Sequence, residues 1–358
     1  MRSIVRSAVG VTILLAAVAQ SASAAGSSGV IGWPSSALYG ATNVPAHLEG
    51  AVQICSGFSH CYALRVDGTL TGWGRNHVGQ TSTPTGLNGV RFVECNADQT
   101  YAIRSDGTAI GWGDNASGQT STPSGLGTVR SISCGYSHTY AVKADGSLAG
   151  WGDNSNGQCN TPPSLGPVSQ VACGWQHSCA LKADGTVACW GQNWYGQAAT
   201  PAALSGVVQV VAGYAHTYAL KSDGSFVGWG TNLWGRLNSP AGLNNVRRLA
   251  LAGDTTFAIR RDGSIVGWGR NNVGQASIPA GLAGVKQVAA SADFTIALYE
   301  SAVPACSSDL DQNGVVDTAD ISIILLDFGP CYEPPAALAD PAPTPLLADE
   351  PAQKPVHR

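Results

Sequence analysis

The sequence is poor in charged residues, and glutamate is the scarcer of its two acids. Charged residues make up 12% of the 358 residues, and only five of them are glutamates. No basic run is longer than two residues, and the formal net charge is −4. Because a mildly acidic chain without a basic cluster does not attract a phosphate backbone, we expect no nucleic acid partner.

Long apolar runs are also missing, apart from one near the N-terminus. Arg2 and Arg6 precede an apolar stretch over 9–19, and residues 22–24, Ala-Ser-Ala, form a small-residue cleavage site. This pattern predicts a signal peptide over residues 1–24, the alternative being a buried N-terminal strand. Its removal takes both arginines and changes the net charge from −4 to −6. We therefore expect a secreted protein, extracellular or periplasmic, without a membrane span.

Glycine and tryptophan are abundant, and they recur in register. The chain has 45 glycines and 10 tryptophans. A Trp-Gly pair returns every 39 residues, and Asp-Gly pairs and single prolines keep the same spacing. A period near 40 predicts a propeller or a solenoid. The repeated tryptophans are Trp73, Trp112, Trp151, Trp190, Trp229 and Trp268.

One repeat, 129–167, shows how the period divides into strands. Strand a covers 129–134, strand b covers 138–143 and strand c covers 148–151, with an Asp-Gly turn between b and c. We expect a fourth, edge strand that runs towards Pro162, where proline needs no ladder partner. Four short antiparallel strands form one propeller blade.

The chain ends decide between a propeller and a solenoid. Strand a begins seven times, and the last unit, 285–299, has strands a and b but no Trp-Gly strand. Residues 30–33, Val-Ile-Gly-Trp, supply the missing strand from the N-terminus. A blade assembled from both termini closes a ring and hides its sheet edges. We therefore predict an all-β, seven-bladed β-propeller over residues 30–300, and we expect a monomer.

The blades resemble repeats of the regulator of chromosome condensation family. The resemblance rests on 135–138 (Gly-Tyr-Ser-His), 145–146 (Asp-Gly) and 151–158 (Trp-Gly-Asp-Asn-Ser-Asn-Gly-Gln), and it extends over about residues 30–300. Secreted bacterial propellers of that family that inhibit β-lactamase look more similar still. The resemblance implies a seven-bladed propeller, which agrees with the blade count. It implies little about function, because the nuclear exchange factor acts on a small GTPase and on chromatin.

A separate motif follows the repeats. Oxygen-bearing side chains occupy loop positions 1, 3, 5, 9 and 12 of an EF-hand, with Gly314 at position 6 and the Val315 carbonyl at position 7. The spacing predicts one bound calcium ion, against the alternative of a solvated acidic turn. The side-chain ligands would be Asp309, Asp311, Asn313, Asp317 and Asp320.

The same segment, 306–331, resembles a single dockerin repeat. The resemblance rests on Asp320 at the last loop position, on 325–326 (Leu-Leu) and on 328–329 (Phe-Gly). A full dockerin has two such loops and this chain has one, so binding to a cohesin stays open. All ten cysteines follow residue 24, which favours disulfides in an exported protein, and we expect Cys306 to pair with Cys331. Residues 332–358, rich in Pro and Ala, are typical of a disordered tail.

Comparison of the repeats with one another also separates positions that recur in most blades from positions that vary. Four histidines open strand b in four repeats, and such recurrence favours a structural hydrogen-bonding role over catalysis. They are His60, His138, His177 and His216. The a–b turns and c–d loops must open on one face, and there the repeats differ by carrying large aromatic residues. We predict a ligand-binding face made of Tyr136, Trp175, Trp194, Tyr195, Tyr214 and Trp234. The alternative is local packing over the blades.

Two functions follow from these patterns. The first is a secreted binding module, not an enzyme, that recognises an extracellular protein or polysaccharide. The second is an extracellular carbohydrate-active enzyme, a hydrolase or lyase, or a component of a polysaccharide-degrading system. With so few glutamates, its acids would have to be aspartates, and Asp98, Asp254 and Asp293 in the a–b turns are the candidates.

Overall fold

The computed structural model describes residues 28–300 apart from Ser36, and their regular secondary structure consists almost entirely of short strands. The predicted signal peptide, the calcium loop and the C-terminal tail lie outside the described residues. The strands are β1 (Ser28–Trp33), β2 (Ala51–Ser56), β3 (His60–Arg65), β4 (Leu70–Gly74), β5 (Val90–Asn96), β6 (Gln99–Arg104), β7 (Ala109–Gly113), β8 (Val129–Cys134), β9 (His138–Lys143), β10 (Leu148–Gly152), β11 (Val168–Cys173), β12 (His177–Lys182), β13 (Val187–Gly191), β14 (Val207–Ala212), β15 (His216–Lys221), β16 (Phe226–Gly230), β17 (Val246–Ala252), β18 (Thr255–Arg260), β19 (Ile265–Gly269), β20 (Val285–Ala290) and β21 (Thr295–Glu300).

These strands form seven antiparallel sheets, one for each predicted blade. Six sheets are consecutive triplets from β2 to β19, and the seventh has the order β1-β21-β20. In that last blade Trp33 lies opposite Thr295 and Val30 lies opposite Leu298. The N-terminal strand therefore completes the blade that the C-terminal repeat begins, which confirms the predicted closure of the ring.

The prediction of a fourth strand in each blade was wrong for the described residues, where each sheet has three strands. After strand c the chain enters successive turns instead. In the third blade the Asn160 amide donates to the Gly157 carbonyl over 3.0 Å, and the Thr161 amide donates to the Cys159 carbonyl over 3.1 Å. Gly157 has a positive φ of 75°. Because these amides are used within the turns, they do not form a ladder with β10.

The core lies between neighbouring blades and is organised by the repeated tryptophans. Trp151 on β10 packs edge-on against Tyr101 of the preceding blade, with 5.8 Å between ring centroids. Its indole Nε1 donates to the Gln119 carbonyl over 3.0 Å. All seven strand-c tryptophans, including Trp33, are between 6% and 9% exposed. The prediction that these tryptophans form the framework of the core is confirmed.

Glutamines at the third position of the innermost strands bind one blade to the next. The Gln170 side chain accepts from the Val210 amide and donates to the Val210 carbonyl, both over 3.0 Å. This double hydrogen bond satisfies a backbone donor and acceptor that face the ring interior. The same arrangement recurs at Gln53, Gln209 and Gln287.

Two disulfides add covalent links. Cys55 and Cys95 join the innermost strands of the first two blades, and Cys179 and Cys189 join adjacent strands of the fourth. Disulfides of this kind persist in oxidising compartments, which is consistent with the predicted export. The expected pair of Cys306 with Cys331 lies outside the described residues. Within residues 28–300, Ser36 excepted, no helix is long and apolar enough to cross a membrane.

Candidate binding face and central channel

The a–b turns and c–d loops open on one face of the ring, as expected from antiparallel strands. The Asp153 amide at the start of one c–d loop donates to the Ser137 carbonyl in the a–b turn over 2.8 Å. The Gln192 amide donates to the Gln176 carbonyl over 2.9 Å in the next blade. These bonds fix the loops and turns relative to each other, and we call this side of the ring the loop face.

The strand-b histidines lie beneath the loop face and join adjacent blades. His138 Nε2 lies 3.0 Å from Ser178 Oγ, and that hydroxyl donates to the Gln158 carbonyl over 2.9 Å. His138 therefore donates from Nε2. Its other side packs against Gly135, where a Cβ atom would collide with the imidazole ring. Burial lowers the pKa of His138 to about 4, so the ring is neutral at physiological pH.

The other three histidines make the same contact, with Thr100, Thr217 and Thr256. All four side chains are fully buried. A buried neutral imidazole with its Nε2 proton committed to the next blade cannot exchange protons with a ligand. The predicted structural role of these histidines is confirmed.

Three of the six predicted face residues meet as a stack of rings. Tyr136 and Trp175 are parallel within 10°, with 3.9 Å between centroids, and Trp175 and Tyr214 are 3.8 Å apart. Phe58 reaches over from the first blade to within 5.7 Å of Tyr136 and 5.6 Å of Trp175. We call these four residues the aromatic column. Both faces of Trp175 are covered, so at this place the packing alternative is partly correct.

The other three predicted residues lie apart from the column, at the tips of the c–d loops. Trp194 is 77% exposed, Tyr195 is 59% exposed and Trp234 is 57% exposed. Among the described residues, none of the three forms a ring pair with another aromatic side chain. Their ring faces remain available to a partner, unlike those of Trp175.

The prediction missed Leu38 and Tyr39, which extend this exposed surface. Residues 38–40, Leu-Tyr-Gly, form a short 3-10 turn that matches residues 233–235, Leu-Trp-Gly, in the fifth blade. The central residues share a left-handed backbone, with φ of 59° at Tyr39 and 63° at Trp234. The signal was present in the sequence, since both triplets follow a strand-c tryptophan. The Arg75 guanidinium lies 4.8 Å from the Tyr39 ring centroid.

The exposed apolar side chains of the c–d loops occupy one continuous sector of the ring. They occur in the fourth to seventh blades and in the first, whereas the second and third blades carry Ser117 and Asn156 at the loop tip. We call this sector the apolar rim. Its members are Leu38, Tyr39, Val78, Trp194, Tyr195, Leu233, Trp234 and Val273.

The three candidate acids of the a–b turns each have a partner in the protein. Asp98 accepts from Gln80 Nε2 over 2.8 Å. An Arg236 guanidinium nitrogen lies 2.8 Å from Asp254, and an Arg270 nitrogen lies 3.6 Å from Asp293. Arg236 is almost fully buried and stands where the other complete blades have glutamine. These partners give the acids a role in holding the loops.

A channel of about 770 Å³ runs inside the seven innermost strands and reaches the aromatic column. Its wall is mainly neutral, with Glu94 on β5 and Arg248 on β17 as the charged residues of its inner part. Burial raises the pKa of Glu94 to about 8, although the charge of Arg248 acts in the opposite direction. Partial desolvation inside the ring also lowers the pKa of the Arg248 guanidinium, although the side chain remains exposed.

Metal ligation was predicted only for the C-terminal loop, and that loop lies outside the described residues. Its proposed ligands are Asp309, Asp311, Asn313, Val315, Asp317 and Asp320. Within the described part of the chain, no group of three or more His, Cys, Asp or Glu side chains is placed to hold a metal ion.

Comparison with known protein families finds a match to four of the seven blades. The family model described as "Regulator of chromosome condensation (RCC1) repeat" matches residues 51–80, 129–158, 168–197 and 207–233. These matches fall on the first, third, fourth and fifth blades. No curated protein sequence matches the chain.

Solved structures with a similar fold include a human, a yeast and a plant protein. Human WBSCR16 is 16% identical over 77% of this chain and 99% of that chain, with a TM-score of 0.62. Prp20p from Saccharomyces cerevisiae is 16% identical over 84% of this chain and 96% of its own, with a TM-score of 0.64. The CRINKLY WD40 ectodomain of the Arabidopsis thaliana receptor kinase ACR4 is 24% identical over 68% of this chain and 86% of that chain, with a TM-score of 0.54. The chain is thus an all-β, seven-bladed propeller, and four of its blades match the model of the RCC1 repeat.

Proposed function

We propose that this chain is a secreted binding module, not an enzyme, and that its loop face holds a protein. The observation that carries the proposal is the apolar rim, and above all the 77% exposure of Trp194. Large rings that project into water are energetically unfavourable until a partner covers them, and such rings dominate the binding energy of protein interfaces. A sector that spans five blades offers the extended contact area that protein partners need.

The arrangement of the rings favours a protein over a glycan. A sugar stacks on an open ring face, and both faces of Trp175 are occupied by Tyr136 and Tyr214. The rings with open faces lie on separate loops of the rim, where protein side chains can surround each of them. Prp20p, whose fold is similar, is described with binding to Gsp1p and histones. That description supports a protein ligand for this chain only by analogy of fold.

The alternative of a carbohydrate-active enzyme is less well supported by the site. Hydrolysis of a glycoside needs two carboxyl groups that face a shared space. Asp98 is bonded to Gln80, and Asp254 and Asp293 are paired with arginines. The strand-b histidines are buried and committed to neighbouring blades. We therefore retain the enzyme only as an outcome of the experiment below.

A comparison of variants tests the proposal. The full chain is immobilised and exposed to proteins and polysaccharides of its host's extracellular medium, beside a Trp194→Ala/Trp234→Ala double variant. The control is Val66→Ala, because Val66 is equally exposed but lies in a b–c turn on the opposite face. A protein retained by the wild type and the control, and lost by the double variant, supports the proposal. Retention of a polysaccharide alone, or its breakdown, contradicts it.

We also propose that the C-terminal segment binds one calcium ion, on the evidence of its ligand spacing alone. Asp309→Ala in the full chain should weaken calcium binding greatly, since the first position anchors an EF-hand loop. Calorimetry with calcium chloride measures this directly. Absence of heat from the wild-type chain at millimolar calcium would contradict the proposal.

A further inference from the structure

The inner wall of the channel consists of stacked rings of side chains, one from each blade. The fifth position of the innermost strands supplies one ring, which is small and neutral except for Glu94. Its other members are Cys55, Ser133, Ala172, Val211, Ala250 and Ala289. Glu94 is thus the single carboxyl group among six neutral neighbours.

The third position supplies the next ring, farther from the loop face. Four of its members are the glutamines whose amides bind the neighbouring blade, so they are unavailable to a ligand. Phe92 and Ser131 are uncharged, which leaves Arg248 as the single cation of this ring. The other charged residues of the channel wall, Arg75 and Asp293, belong to the loop face at its mouth.

Glu94 and Arg248 lie on different parts of the wall and at different depths. Their blades, the second and the sixth, are separated by three blades in one direction and two in the other. Two positions along a strand correspond to a difference in depth of about 7 Å. Among the described residues, no ion pair within 4.0 Å joins the two side chains, although other arginine–aspartate pairs do form. Neither side chain has a hydrogen-bond partner among the described residues.

The Glu94 carboxyl group is half-buried and has no partner among the described residues, so it has lost part of its hydration, which is energetically costly. Arg248 is exposed on the channel wall and also has no partner there, so its guanidinium group is free to contact a ligand. A ligand with opposite charges at its two ends would satisfy both groups without bringing them together. The channel volume of about 770 Å³ is typical of a small-molecule site. The difference in depth requires the ligand's charges to be separated by several bonds.

We propose that the channel binds a small zwitterion, with its ammonium group on Glu94 and its carboxylate on Arg248. The expected class is a linear ω-amino acid, in which a flexible apolar chain separates the two charges. The alkyl part would lie along the neutral wall formed by residues such as Val211 and Ala250. This site is separate from the apolar rim, so the proposal does not depend on the identity of the protein partner.

The repeat itself supplies the variants that test the proposal. Arg248→Gln introduces the residue that four other blades carry at this position, and Glu94→Ala introduces the residue of three other blades. Both variants should therefore keep the fold, which thermal unfolding can verify. Calorimetry with 6-aminohexanoate should show binding to the wild type and a loss of at least tenfold in each variant. Three further probes serve as controls. Glycine has both charges but little distance between them, hexylamine lacks the carboxylate and hexanoate lacks the ammonium group.

The outcomes are distinct. Binding of 6-aminohexanoate that exceeds that of hexylamine and hexanoate, and that is weakened in both variants, supports the proposal. Equal binding of hexylamine overturns the role of Arg248, and no heat at millimolar 6-aminohexanoate overturns the site. The Trp194→Ala/Trp234→Ala variant should bind 6-aminohexanoate like the wild type. Failure of the rim proposal is therefore separable from failure of this one.

Discussion

The side-chain amide of Gln287 is hydrogen-bonded twice to the backbone of Ile54, 233 residues earlier in the chain. Ile54 N donates to Oε1 over 3.0 Å, and Nε2 donates to the Ile54 carbonyl over 2.8 Å. This contact joins the last blade to the first. Elsewhere in the ring the same contact joins blades that are consecutive in sequence. Between Gln287 and Ile54 it joins the two ends of the chain's blade order and so helps to close the ring.

Gln287→Ala should lower the free energy of unfolding by about 1–3 kcal/mol, because the backbone groups of Ile54 lose their partners. Urea unfolding followed by tryptophan fluorescence measures the change. Ser131→Ala is the matched control, since Ser131 occupies the same strand position and has no bond to the next blade among the described residues. It should change stability by less than about 0.5 kcal/mol. Equal effects of the two variants would show that the amide contact does not stabilise the ring.

Deletion of residues 25–50 should destabilise the whole propeller, because it removes β1 and exposes the edge of β21. It also removes Trp33, which packs edge-on against Phe257 at 6.4 Å and donates to the Gln275 carbonyl over 3.1 Å. Thermal unfolding should begin roughly 10 °C lower or more. Deletion of residues 332–358, predicted to be a disordered tail, is the control and should leave the transition unchanged. An unaltered transition after the first deletion would refute closure by β1.

Two neighbouring tryptophans should respond in opposite ways to substitution. Trp190→Ala empties a buried site and removes the hydrogen bond from Nε1 to the Gln158 carbonyl, so it should cost about 3–5 kcal/mol of stability. Trp194→Ala, four residues later on an exposed loop tip, should leave stability within about 0.5 kcal/mol. Denaturant unfolding of both variants under one set of conditions is the measurement. A large loss of stability in Trp194→Ala would show that this ring packs within the protein and is not an exposed binding residue.

The four strand-b histidines should make the propeller sensitive to acid. Burial lowers the pKa of His60 and His177 to about 3 and that of His138 to about 4, and it lowers the pKa of His216 strongly. In the unfolded chain these four histidines take up protons below about pH 6.5, whereas in the folded chain they do so only near pH 4 and below. The free energy of unfolding should therefore fall as the pH decreases through this window, by up to about 1.4 kcal/mol per pH unit for each histidine.

Urea unfolding between pH 7 and pH 4.5 tests this dependence. The control variant is His138→Gln, because Gln99 occupies the same position in the second blade and donates to the Gly135 carbonyl over 2.8 Å. This variant should show a shallower decrease of stability with falling pH than the wild type. A wild-type stability that is constant between pH 7 and pH 5 would contradict the assignment of these histidines as buried and neutral.

The loop face shows the limit of prediction from sequence most clearly. The variable positions were predicted as one face, and Tyr136, Trp175 and Tyr214 do meet there. The repeat pattern did not distinguish these stacked rings from Trp194 and Trp234, because both groups follow a strand end in their blades. Whether two rings from different blades touch depends on the spacing of the turns around the ring. That spacing is a property of the closed ring and not of a single repeat.

The sequence alone determined the number of blades, the closure by residues 30–33 and the structural roles of the repeated Trp and His. Each of these depends on a local pattern that is repeated in register. Only the tertiary structure decided that the blades of the described residues have three strands each. It also decided the aromatic column, the pairing of the turn aspartates and the shared channel of Glu94 and Arg248. These features join positions in different blades, and their distances follow from how seven sheets pack around an axis. A 39-residue period carries no information about contacts across that axis, so only the assembled ring could place them together.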